Sequence, residues 1–338
     1  MSSPNVQYLV HSQGGPLAAT TSDKPTISHP TELLIRIKSI AINPADIKMI
    51  DKGLRVTSWP IVPGLDGAGI VEAIGDDVTN FRVGDEVLAM CASSNRSASF
   101  QTFAVVKETM VAKKPPSWSF EEASSLGVCY LTGILALGIG IGTALQFLPD
   151  GPQTGFSPSS VLILGGSSAL GGAVIQLLRL AVPDCMVLVT SSPRHHVRLT
   201  SRLGAHRAFD RHSASIVEDV RSASPGARGV DAIVDAVGAG STERHVFDIL
   251  DADGPKRYAQ VWTGDPEIEV PSGVDSVMFK GADLPRLQGG KNIMLALRTL
   301  LEEGKYQLPV PVHKVGGLEE GLDLMRQGVS GAKLVVTV

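Results

Sequence analysis

The sequence predicts an α/β protein in which a doubly wound parallel sheet is joined to a β-rich region. Three observations predict it. Up to roughly residue 120, short β-rich runs alternate with turn residues. From about residue 160, apolar runs alternate with helical stretches, and after about residue 305 the chain returns to strand-like composition. At 338 residues, with 43% hydrophobic and 19% charged residues, the chain suits two packed cores and not a disordered polymer.

In order along the chain, residues 33–37 (LLIRI) and 69–74 (GIVEAI) read as strands, and residues 83–88 (VGDEVL) as a turn feeding a strand. Ser119 is a candidate N-cap for a helix opening at residues 120–123 (FEEA). Residues 126–148 carry no charge and are long enough to cross a bilayer. Five glycines interrupt them and basic flanks are missing, so a helix buried between two domains is expected and no membrane partner. Residues 150–160 (DGPQTGFSPSS) form a loop. After it come a strand at 161–164, a Gly/Ser turn, a helix at 173–180, a strand at 186–190 and a further strand at 228–235. Such alternation implies a parallel sheet. Residues 333–338 form a closing strand.

A net charge of −4 leaves no electrostatic footprint for nucleic acid. Cys91, Cys129 and Cys185 lie far apart, with no C-x-x-C or H-x-x-x-H spacing for a structural metal. A sparse, odd cysteine count suits a reducing compartment, and residues 1–13 show no basic start followed by an apolar stretch, so a cytoplasmic location is expected. The triplet Asn95-Arg96-Ser97 fits a glycosylation acceptor, but such triplets arise often by chance.

The main chemical signal is residues 164–172 (LGGSSALGG), lying between a buried strand and an apolar helix. A helix N-terminus offers unpaired N–H groups and partial positive charge to a pyrophosphate. Gly165 permits the tight turn and Gly171 lets the helix pack closely, although the middle glycine of G-x-G-x-x-G is absent. The end of the next strand selects the dinucleotide. Residues 190–195 (TSSPRH) hold no acid for a ribose 2′-hydroxyl, whereas hydroxyls and a guanidinium suit a 2′-phosphate, so NADPH is expected. Arg194 and Arg211 are read as near that phosphate, and Arg198, Arg202 and Arg207 as the solvated face of one helix.

With these motifs in hand, the chain resembles the medium-chain dehydrogenase/reductase superfamily. Within it the chain is most similar to the fungal ToxD-like oxidoreductases and the trans-acting enoyl reductases of the lovastatin type. Residues 41–48 (AINPADIK), 63–69 (PGLDGAG), 83–85 (VGD), 165–168 (GGSS) and 329–336 (VSGAKLVV) carry the resemblance over nearly the whole chain. It implies a Rossmann domain inserted into a GroES-like catalytic domain, with residues 1–123 GroES-like, 124–300 binding NADPH and 301–338 completing the first domain. Zinc-dependent relatives hold their catalytic metal on Cys, His-Glu and Cys; the matching positions are Asn43, Leu65-Asp66 and Val128, so no metal is expected. The resemblance further implies that Ala45, Asp46, Ile47 and Lys48 line the nicotinamide end, with Thr132 beside it. Gly165, Ser167, Ser168, Ala169, Leu170 and Gly171 would cradle the pyrophosphate. Ser191, Ser192, Arg194 and His195 would hold the adenosine phosphate, and Val261, Trp262 and Val329 are weaker carry-overs. Many relatives have tyrosine where this chain has Arg211, which either strengthens phosphate binding or removes a stacking contact.

Hydride transfer to an activated double bond needs a donor for the developing enolate charge. Lys48 leads, with Thr132 second; Tyr130 is either a proton donor to the α-carbon or a core residue, with solvent as the other proton source. The expected activity is enoyl reduction on a polyketide chain held by an acyl carrier, in partnership with a polyketide synthase. A stand-alone quinone or enone reductase acting on small molecules is the rival, and a non-catalytic NADPH-binding assembly partner is the second.

Overall fold

A computed structural model describes residues 4–92 and 94–338, so the first three of the residues read above for a leader lie outside the described ones. The chain divides into two units, Met1–Val128 with Leu297–Val338, and Cys129–Ala296.

The first unit opens with a hairpin of β1 (Asn5–Val10) and β2 (Leu17–Ser22). The long strand β3 (Glu32–Ala41) is buried along most of its length and pairs antiparallel with the strands on both sides. Helix α1 (Pro44–Lys52) follows at once. Pro44 opens it, the Asp46 carboxylate accepts the Asn43 backbone N–H at 2.8 Å, and Gly53, at φ 65°, ends it. Strands β4 (Asp66–Ile74), β5 (Glu86–Met90), β6 (Phe103–Lys107) and β7 (Val111–Lys113) continue the sheet. The turn read at residues 83–85 is there, with Gly84 at φ 92°. Helix α2 (Phe120–Ser124) starts as expected on Ser119, whose hydroxyl accepts the Glu122 N–H at 3.1 Å while Glu122 accepts the Ser119 N–H at 2.8 Å. Losing such a cap costs about 1 kcal/mol.

Helix α3 (Gly127–Leu135) runs on through a π-helical turn, Ala136–Gly140. Residues 120–140 are long and apolar enough to cross a membrane, yet 78% of the apolar window is buried inside the protein. Its glycines mark close packing: a Cβ on Gly133 would lie 2.9 Å from Leu177 and one on Gly140 2.6 Å from Ala259. This is a core helix.

The second unit alternates β8 (Ser160–Leu164), α4 (Ala169–Ala181), β9 (Met186–Ser191), α5 (His196–Ser201), β10 (Arg207–Asp210), α6 (Ile216–Ala223), β11 (Ala232–Asp235), β12 (Arg257–Val261) and β13 (Asp275–Phe279), before α7 (Ile293–Glu302). The chain then returns through β14 (Val312–Lys314), α8 (Leu318–Gln327) and β15 (Lys333–Thr337) to the first sheet, where β15 lies antiparallel to β3. That sheet has seven strands, in the order β14-β15-β3-β4-β5-β7 with β6 also paired to β3. The other has six parallel strands in the order β10-β9-β8-β11-β12-β13, so the winding direction reverses between β8 and β11. Ligands of doubly wound sheets sit beyond the strand ends at such a reversal.

Three local readings need correction. Helix α4 starts four residues before the expected 173, because Ser168 caps it by accepting the Gly171 N–H at 2.9 Å. The strand read at 228–235 is confined to Ala232–Asp235, since Gly229 turns the chain at φ 117°. Finally, Arg198, Arg202 and Arg207 do not share one helix: Arg198 lies on α5, Arg202 follows its end and Arg207 opens β10.

Candidate active site

In the second unit the expected cofactor residues gather at the C-terminal ends of the parallel strands. The turn after β8 is built for close approach. Gly165 stands at φ 76°, and a Cβ on Gly171 would fall 2.3 Å from the Gly165 carbonyl oxygen, so the first turn of α4 rests on the turn itself. Ser167 is buried, and the Ser168 hydroxyl is engaged in capping α4, which leads with Ala169 and Leu170. Thr190, which sequence reasoning missed, anchors the turn to β9: its carbonyl accepts the Gly166 N–H at 2.9 Å and its hydroxyl the Gly165 N–H at 3.3 Å.

Ser191 ends β9, and Ser192, Arg194 and His195 follow it directly. The Arg211 backbone N–H donates to the Ser191 carbonyl at 3.1 Å, bringing the residue after β10 beside the residue that ends β9. The His195 imidazole is held below its ordinary pKa, first by burial and then by the positive charges of Arg194, Arg198, His196 and Arg211. The charges that lower it are cationic, so this corner favours an anion.

On the other side of the reversal, the loop after β11 comes close to the glycine turn; a Cβ on Gly165 would lie 2.4 Å from Val237. The Asp235 carboxylate holds that loop, accepting the N–H groups of Val237, Ala239 and Gly240 at 3.1, 3.0 and 2.9 Å and the Tyr258 hydroxyl at 2.6 Å. A buried acid three residues before a glycine gave no sequence signal of this role. Val261 ends β12 and Trp262, next to it, donates its backbone N–H to Phe279 at 2.8 Å.

In the first unit, Ala45, Ile47 and Lys48 are half-buried on α1, and Val329, just after α8, packs against the same core. Asp46 departs from expectation. It has 0% exposure, and its carboxylate serves the start of α1. Burial, together with the nearby Asp66, pushes its pKa up to about 7. Thr132 is half-buried on α3. Tyr130 is fully buried, donates its hydroxyl to the Ile293 carbonyl at 3.0 Å and has its pKa raised by burial, so of its two readings the core residue holds.

The positions that hold zinc in metal-dependent relatives come together here without a ligand set. The Asn43 side-chain amide donates to Asp66 at 3.0 Å, and the other Asp66 oxygen accepts the Val128 N–H at 2.8 Å. An amide, a carboxylate already engaged on both oxygens and a valine do not fit zinc. Among the described residues no group of His, Cys, Asp and Glu side chains could hold a metal ion.

Comparison with known proteins agrees with this architecture. Residues 29–116 match the alcohol dehydrogenase GroES-like domain and residues 203–336 the zinc-binding dehydrogenase family. The chain is 31% identical to the trans-enoyl reductase himH of Aspergillus japonicus over 91% of this chain and 90% of that protein. It is 29% identical to lovC of Aspergillus terreus, the enoyl reductase component of lovastatin nonaketide synthase, over 90% and 88% of the two chains. The crystal structure of the CurK enoyl reductase shares the fold, with a TM-score of 0.78 at 19% identity over 98% of this chain and 99% of that one. A nicotinamide-dependent oxidoreductase by its fold and its relatives, the chain belongs to the medium-chain dehydrogenase/reductase superfamily and, within it, to the trans-enoyl reductases.

Proposed function

We propose that this protein is a trans-acting enoyl reductase. In this reading it uses NADPH, without a metal, to reduce the α,β-double bond of a polyketide thioester presented by an acyl carrier of a partner synthase in the cytoplasm. The observation that carries it is the pairing of the Gly165–Gly171 turn, at the sheet reversal, with the cationic side chains around His195. The names of himH and lovC support the substrate class.

In this reading Ser167, Ala169, Leu170 and the start of α4 hold the pyrophosphate, which suits a helix N-terminus. Ser191, Ser192, Arg194, Arg198 and Arg211 hold the 2′-phosphate by charge-assisted bonds. When bound, the nicotinamide supplies the hydride to the β-carbon. Lys48 and Thr132 donate N–H and O–H to the thioester oxygen, on which negative charge grows as the enolate forms. Solvent returns a proton to the α-carbon, since Tyr130 is committed elsewhere.

Purified protein should oxidise NADPH with enoyl thioester mimics at a kcat/KM about tenfold or more above that with simple quinones. Faster turnover of quinones would favour the stand-alone reductase instead, and NADPH binding with no turnover of any enone would favour the assembly partner.

A further inference from the structure

The central strands of the seven-stranded sheet run out into a closed polar knot. β3 runs out at Ala41, which lies opposite Asp66 at the start of β4 on one side and Val335 of β15 on the other. The side chains gathered there, Asn43, Asp46, Asp66 and Lys333, are 2, 0, 0 and 4% exposed. The Lys333 ammonium donates to Asp66 Oδ2 at 3.2 Å and to Asn43 Oδ1. From these two partners the chain of bonds reaches two helix starts. Asp66 Oδ1 takes the Val128 N–H in the first turn of α3. Asn43 is the N-cap of α1, and its own N–H goes to Asp46. Thr132 lies one turn beyond Val128 on α3, and Lys48 two residues beyond Asp46 on α1.

The ammonium is what makes this arrangement tenable. A buried carboxylate without a counter-charge takes a proton, and Asp66 is already pushed in that direction by burial, with Lys333 the main opposing influence. Once protonated, Asp66 would carry an O–H donor and could no longer accept from Val128, Asn43 and Lys333 together. Three charged or titratable groups share the knot with it: Asp46, the Cys91 thiol and Lys333. With one cation for two acids, Lys333 bonds directly to Asp66, while Asp46 keeps one buried oxygen without a hydrogen-bond partner, as a protonation site would. The chain also closes tightly on Asp66, since a Cβ on Gly127 would lie 2.6 Å from Asp66 Oδ1.

We propose that Lys333 is a positioning residue for the reduction: through Asp66 and Asn43, its buried ammonium sets the starts of the two helices that carry Lys48 and Thr132. The proposal rests on the reading of those two residues as substrate donors, but the placement of the helix starts can be measured without any substrate.

The test compares full-length wild type with Lys333→Met, Lys333→Arg and Asp66→Asn. It follows amide hydrogen exchange over residues 44–52 and 127–135, NADPH affinity by fluorescence titration, and kcat and KM with an enoyl thioester mimic. Lys333→Met should speed exchange at both helix starts and lower kcat about tenfold or more, with NADPH affinity within about threefold of wild type; Lys333→Arg should restore most of both losses. Wild-type exchange and kcat in Lys333→Met would overturn the proposal, as would a loss of NADPH affinity as large as the loss of kcat. If Lys333→Met does not fold, Asp66→Asn, which keeps the shape and removes the charge pair, must show the same two effects, and wild-type behaviour in it overturns the proposal. If the wild type reduces no enone, the enoyl reductase reading fails while the exchange measurement still decides whether Lys333 sets the helix starts.

Discussion

In the proposed reaction, single side chains divide the labour between chemistry and cofactor choice. Lys48, the proposed donor to the substrate oxygen, is half-buried at the middle of α1, whereas Arg194 sits in the cationic corner after β9. The two should fail differently. Lys48→Ala should lower kcat by about 10²–10³, the usual loss for one transition-state donor, with NADPH affinity unchanged. Arg194→Ala should leave kcat intact and weaken NADPH about tenfold without affecting NADH, since only the 2′-phosphate bond is removed. Steady-state kinetics with both nucleotides checks the pair, and equal use of NADH and NADPH by the wild type would sink the phosphate reading. The residues legible in sequence were those whose chemistry is local. Gly165 needs its positive φ whatever surrounds it, and the absence of an acid in residues 190–195 can be seen without a fold. Thr190 and Asp235 were not legible. Their work is to hold a neighbouring loop, and their partners are known only once β9 lies beside β8 and β11 beside β12.

Among the elements, the strand–turn–helix unit from β8 to α4 has little tolerance. The first turn of α4 lies directly on the glycine turn, and a methyl group at Gly171 would meet both the Gly165 carbonyl and Gly166 Cα, at 2.3 and 2.8 Å. Both neighbours are backbone, so there is no flexible side chain to move aside. Gly171→Ala should therefore push α4 off the turn, weaken NADPH by about tenfold or more and destabilise the fold by about 1–3 kcal/mol. Fluorescence titration and thermal melting measure the two effects, and wild-type nucleotide affinity would show that the turn is not the binding element. The start of α4 at Ala169 was within reach of the sequence, because Ser168 is a good N-cap; the apolar run from Ala173 drew the boundary inward instead. Arg202 and Arg207 were misplaced for a related reason. Charge spacing resembles a helical face, but α5 ends at Ser201, and Arg207 already belongs to β10.

At the level of the whole molecule, two buried acids shape the response to pH in opposite senses. Asp46 has its folded pKa raised from 3.8 to about 7, chiefly by burial, so the stability linked to it is fully present below 3.8 and is lost as pH rises through about 7. Glu32 is the reverse. The bidentate Arg96 guanidinium, at 2.8 and 2.7 Å, holds it down to about 2 from 4.5, so its contribution is present above 4.5 and is lost as pH falls through about 2. Asp46→Asn should remove the first dependence. Between pH 5 and 8 the Tm of wild type should fall relative to that variant by about 2 °C or more, and parallel melting curves across the range would refute the assignment. By itself, the sequence determined the α/β class and the glycine turn after β8, because periodicity and glycine geometry act over a few neighbouring residues, while the return of the chain to its first sheet was implied only by the family resemblance. Only the tertiary structure decided that Asp46 faces inward, that Tyr130 is core and that Lys333 meets Asp66 from 267 residues away, because burial and the pairing of buried charges depend on which strand ends the fold brings together.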